Sequence, residues 1–158
     1  MNRGSTLFLK ITIFIIGFIV ISLSLFWLPY AANSLAEMYP EYAHLRFPIL
    51  IGIYLTVIPF FIALYHALKL LHVIEQQRAF SPISVNALKQ IKYCAITISL
   101  IYIICAIYLI TENALHPSLI VIGVTIIFAS FVVSVFSDVL QKLLNSALEI
   151  KLENDLTV

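Results

Sequence analysis

LFLKITIFIIGFIVISLSLFWL, residues 7–28, holds a single charge, Lys10, in 22 positions. As a helix rising about 1.5 Å per residue it would be roughly 33 Å long, enough to cross the hydrocarbon core of a bilayer, which is about 30 Å thick. A secretory signal peptide is the rival reading, because Arg3 and Lys10 precede the apolar stretch and Ala31-Ala32 follows it. The apolar part of a signal runs about 7–15 residues. Here 18 residues separate Lys10 from the end of the run at Leu28, so the segment reads as a retained membrane span.

Three further runs of the same kind follow. Ile49–Leu71 has Pro48 just ahead of it and Leu119 to about Leu140 comes after Pro117, prolines suited to a helix's first turn. Tyr93–Ile110 is 18 residues long, near the lower limit for a span, so it borrows length from what precedes it. The chain is 62% hydrophobic and 11% charged, against about 45–50% and about 25% for a soluble domain. A water-soluble fold of 158 residues could not hide that surface, and lipid is the solvent that tolerates it. The expectation is an all-α integral membrane four-helix bundle, one domain over residues 1–158. With the N-terminus inside, Arg3, Lys10, Lys69, Arg78, Lys89, Lys92, Lys142 and Lys151 fall on the cytoplasmic side, and only Arg46 on the other. That bias predicts both termini in the cytoplasm. Lys10 and Lys69 sit near the inner ends of their runs, where a long stem carries the ammonium to the headgroups.

Net charge is +1, and no basic block resembles a surface for a phosphate backbone, so direct nucleic-acid binding has no support. Cys94 and Cys105 lie eleven residues apart in one run, about 16 Å along a helix, too far for a disulfide, and read as apolar filler. Trp27, Tyr30, Tyr39, Tyr42 and Phe47 suit anchoring at the outer interface. The outer connections are Pro29–Pro48, long enough for a short surface helix, and Thr111–Pro117, tight enough to make spans three and four antiparallel neighbours.

Few residues suggest chemistry. Gly123, Ser130, Ser134, Ser137 and Gln141 recur at helical spacing, a stripe of small side chains that suits helix packing in lipid; a polar permeation path is the sharper alternative. Asp138 lies near the inner end of the fourth run with Lys142 four residues on, and a local ion pair, or one with Lys69, accounts for it. Pro59 removes a backbone donor within span two. His66 and His72 fall on opposite sides of that helix, wrong for one metal. Glu37, Glu41, His44, Glu112 and His116 could ligate a cation outside the membrane, but their spacing is no motif and solvated loop charges explain them. Signatures of hydrolysis, phosphoryl transfer and thiol chemistry are absent, so catalytic, metal and cofactor roles are not predicted.

The inner surfaces are more distinctive. In AFSPISVNALKQIKY, residues 79–93, Ser81 can cap a helix and Pro82 suits its first turn. Phe80, Ile83, Ala87, Leu88 and Ile91 then line one apolar side, with Asn86, Lys89, Gln90 and Lys92 free for headgroups. This predicts a short cytoplasmic interfacial helix over 81–92 that runs into span three. The fourth helix should pass beyond the bilayer, with Leu144, Leu148 and Leu152 repeating every four residues, into a tail ending ENDLTV.

RGSTLFLK at the start, AFSPISVNALKQIKYC in the loop and ENDLTV at the end resemble a family of small four-pass bacterial membrane proteins, domain of unknown function 2975. The resemblance covers nearly the whole chain and brings no catalytic residues. Family members are often encoded beside a small helix-turn-helix regulator, which implies a membrane sensor or anchor that binds such a regulator. On that reading Phe80, Ile83, Leu88, Lys89 and Lys92, with Glu153, Asn154, Asp155 and Leu156 in the tail, are the candidate docking residues. Immunity or transport by binding a membrane-active peptide or amphiphile, and a structural role in a larger or homo-oligomeric membrane complex, are the alternative expectations.

Overall fold

The computed structural model describes residues 3–113 and 117–156. Among them every regular element is a helix. Helix α1, Arg3–Ser22, passes through a π turn, Leu23–Trp27, into α2, Leu28–Met38. The helix breaks at the non-helical Tyr39, and a 3₁₀ turn, Pro40–Leu45, leads into α3, Arg46–Glu75. Helices α4, Pro82–Thr111, and α5, Pro117–Leu156, complete the fold. Taking α1 to α2 and the 3₁₀ turn to α3 as continuous rods, four helices are long and apolar enough to cross a membrane. The chain is a multi-pass membrane protein.

Each helix overruns the run of residues that announced it. The segment expected as an outer loop from Pro29 is instead helical to Met38, so the first rod is 36 residues long. Pro29 stands in the first turn of α2, where a missing N–H costs least. The π turn just ahead shows how the backbone adjusts. The Leu28 N–H bonds to the Leu23 carbonyl, five residues back, and Pro29 has no N–H to give, so the Ser24 carbonyl loses both helical donors it could use. Tyr54 of α3 supplies the replacement: its hydroxyl donates to the Ser24 carbonyl at 2.7 Å. Interhelical hydrogen bonds in membrane proteins average about 0.6 kcal/mol and reach about 1.7. An abandoned carbonyl in hydrocarbon belongs at the upper end of that range. Tyr54→Phe is therefore expected to lower stability by about 1–2 kcal/mol, read by denaturant unfolding in detergent with the single Trp27 as fluorophore. Unchanged stability would mean that the carbonyl does not depend on this hydroxyl.

The helices pack in series. Helix α4 has its longest contacts with α5 and α3, α3 makes smaller ones with α1 and α2, and no extended contact joins α5 to α1 or α3. The bundle is thus open, with α4 at its centre, which agrees with how little of each apolar surface is buried. The residues α4 buries are mostly small: Ser84, Ala87, Cys94 and Ala95, with Leu88 the largest. Small side chains allow close backbone approach where lipid provides no hydrophobic drive for helix association. On α5, Ser137 is buried and Gly123, Ser130, Ser134 and Gln141 are half-buried along the same side. Gly123 has open space where a Cβ would stand, so no close approach requires glycine there.

The expected interfacial helix over 81–92 is the first third of α4 itself. Pro82–Thr111 is one uninterrupted helix, and Ala87 and Leu88 are buried against protein rather than laid on headgroups. An apolar stripe does not state what covers it: here Ala87 and Leu88 are interior while Phe80 and Ile83 stay exposed.

Candidate functional site

The side of the fold that carries both ends of the described chain holds most of its ion pairs. Helix α3 ends in a well-formed cap: Arg78 N–H bonds to the Val73 carbonyl at 3.0 Å and Gln77 N–H to that of Ile74 at 3.0 Å. Gln77 takes the left-handed conformation that this 6→1, 5→2 pattern requires, with φ 58°. Three residues on, Ser81 opens α4 as its N-cap, accepting from the Ser84 N–H at 3.5 Å, and Pro82 occupies the first turn. The α3–α4 connection is consequently short and fixed at both ends.

Charges then tie the helices together. Lys10 of α1 reaches Glu75 at the end of α3 at 2.6 Å. Asp138 of α5 accepts from Lys92 of α4 at 3.1 Å and from Lys142, one turn along α5, at 3.0 Å. The pairing with Lys142 matches the i+4 expectation. The interhelical partner is Lys92, not Lys69, because α4 and not α3 packs on α5. One carboxylate shared by two ammonium groups leaves the cluster positive.

The candidate docking residues divide accordingly. Phe80 is 53% exposed and Ile83 is at the edge of exposure. Lys89 is exposed. Lys92 is committed to Asp138, and Leu88, 4% exposed, is interior. Glu153, Asn154, Asp155 and Leu156 are exposed on the last turns of α5, while Thr157 and Val158 lie outside the described residues. Helix α5 continues about 24 Å past Leu140 to Leu156 at 1.5 Å per residue. Along it Leu143, Ile150, Leu152 and Leu156 are exposed apolar side chains. The two clusters of candidates share one side of the molecule.

At the opposite side, the 3₁₀ turn meets the end of α4. Tyr42 hydroxyl donates to the Asn113 carbonyl at 3.0 Å, and His44 Nε2 lies 3.3 Å from a Glu112 carboxylate oxygen. Arg46 donates to Asn33 at 3.0 Å and stacks over the Phe47 ring at 4.4 Å. Among the described residues no three acidic, histidine or cysteine side chains converge as a metal site would need, and His116 lies outside them. Sequence reasoning missed the Tyr42–Asn113 and His44–Glu112 contacts because they join residues 71 and 68 positions apart. Pro29 inside an apolar helix was the one local signal for a displaced carbonyl.

The family model described as "Protein of unknown function (DUF2975)" matches residues 30–158. The chain belongs to this family. It is also 51% identical over 160 residues, across the full length of both chains, to the "Uncharacterized membrane protein YoaS" of Bacillus subtilis (strain 168). No solved structure matches the chain. The resemblance expected from the loop and tail motifs is thereby established, and with it the family's membrane character; neither comparison assigns an activity.

Proposed function

We propose that this protein is a membrane anchor with both termini in the cytoplasm, presenting the α5 overhang and the start of α4 to a small cytoplasmic helix-turn-helix regulator. One observation carries the reading: α5 is 40 residues long, about 60 Å against a hydrocarbon core of about 30 Å, and Leu143, Ile150, Leu152 and Leu156 towards its end are exposed. A solvated helix that keeps such side chains uncovered is suited to a partner that covers them. Phe80 and Ile83, exposed at the start of α4, add apolar area on the same side. The eight-to-one distribution of Lys and Arg supports the orientation, and the habitual pairing of family genes with such a regulator supports the class of partner. On this reading the regulator would be restrained by binding, released or retained as the bundle responds to its membrane.

The test is co-purification of the tagged full-length protein with the regulator in detergent. Removal of residues 143–158 is expected to abolish it, and Phe80→Ala combined with Ile83→Ala to weaken it, with the elution profile of the membrane domain unchanged. Undiminished recovery of the regulator with both changes present would overturn the assignment.

A further inference from the structure

Helices α3 and α4 pack along much of their length, and one flank of the seam between them is grooved. Near one side of the membrane, a Cβ at Gly52 would stand 2.7 Å from Cys105 Sγ. Near the other, Leu71 and Leu88 are both buried. Between these levels lies a laterally open groove of about 450 Å³, with Ile58, Pro59 and Ile62 on one wall and Tyr93, Thr97 and Ile101 on the other. Its lining is mostly apolar. Thr97 hydroxyl donates to the Tyr93 carbonyl at 2.8 Å, so the wall it forms presents hydrocarbon. Gln90, at the foot of the groove, is the one side-chain amide that lines it.

Beyond its foot, helical spacing continues each wall to a lysine. Lys69 lies seven residues after Ile62, on the same stripe of α3, and Lys89 one turn before Tyr93 on α4. The antiparallel register set by Gly52 and Cys105 brings these two lysines to the same level. Among the described residues neither has a carboxylate partner: Glu75 is taken by Lys10, and Asp138 by Lys92 and Lys142. From Gln90 to Ile101 the groove rises about 16 Å, about half of a hydrocarbon core of about 30 Å. It therefore spans one leaflet.

We infer that the α3–α4 groove binds one acyl chain of an anionic phospholipid from the leaflet on the terminal side, with the phosphate held by Lys69 and Lys89. A dry, apolar channel one leaflet deep takes a lipid tail and rejects a polar solute. Two unpaired ammonium groups where the headgroup would emerge select a negative one. The site shares Lys89 with the candidate docking residues but none of the side chains that carry the regulator reading, Phe80, Ile83 and the exposed apolar residues of the α5 overhang.

Native mass spectrometry of the full-length protein from detergent, with phosphatidylglycerol or phosphatidylcholine added in equal amounts, tests the assignment. A one-to-one adduct favouring phosphatidylglycerol is expected. Lys69→Gln with Lys89→Gln should reduce that preference by about fivefold per lysine while leaving the tail bound. Thr97→Phe, which fills the groove, should remove the adduct with either lipid. Circular dichroism shows whether each variant keeps its helices, and Thr97→Leu serves if the larger side chain unfolds the protein. Equal adducts with both lipids, a preference that survives loss of both lysines, or an adduct insensitive to filling the groove would overturn the proposal.

Discussion

Leu88→Ala is expected to cost about 2–5 kcal/mol of stability, the range for emptying a buried leucine site. Leu88 is 4% exposed and the largest side chain that α4 buries, on the helix that packs against both α3 and α5. Its neighbours in the buried stripe, Ser84 and Ala87, are small, so little can move in to refill the space. Lipid cannot enter a closed helix seam, and the lost dispersion contacts are not recovered. Unfolding in detergent followed through Trp27 measures the effect. Phe80→Ala, at an exposed position, should stay within about 0.5 kcal/mol. Equal stability of Leu88→Ala and the wild type would return Leu88 to the surface and favour a partner-docking role for it.

That contrast marks where sequence reading succeeds and where it stops. The four spans were legible because hydrocarbon forces every backbone polar group into a helix and sets a minimum apolar length. Ser81 as a cap and Lys142 as a partner for Asp138 were legible because both contacts are local in the chain. What covers an apolar stripe was not. Phe80, Ile83, Ala87 and Leu88 read as one surface, yet they divide between exposed and interior positions because of where α3 and α5 happen to pass. The choice of Lys92 over Lys69 as the interhelical partner of Asp138 likewise depends on helix order. Charge alone could not decide it, since either ammonium satisfies the carboxylate equally. Tyr54 shows a third limit. Pro29 announces a carbonyl without its donor, but the donor comes from a residue 30 positions away from Ser24.

The same substitution should have opposite signs at two glycines, and the difference isolates the α3–α4 contact. At Gly17 of α1 a Cβ would meet Phe61 and Leu64 at 3.5 and 3.6 Å, ordinary contact distances, so Gly17→Ala gains the helical preference of alanine, about 0.5–1 kcal/mol. At Gly52 the added carbon would meet Cys105 Sγ at 2.7 Å, well inside contact. Either the thiol changes rotamer or the helices separate, and overpacking of this kind costs about 1–3 kcal/mol, which outweighs the propensity gain. Removing the obstacle should restore the balance: in a Cys105→Ala background, Gly52→Ala is expected to become neutral or stabilising. The coupling energy between the two sites should then fall within the roughly 0.5–3 kcal/mol found for touching residues. Four unfolding curves in detergent complete the cycle. Additive effects at Gly52 and Cys105 would mean that the helices do not meet there, and the upper closure of the lipid groove would be lost with that contact.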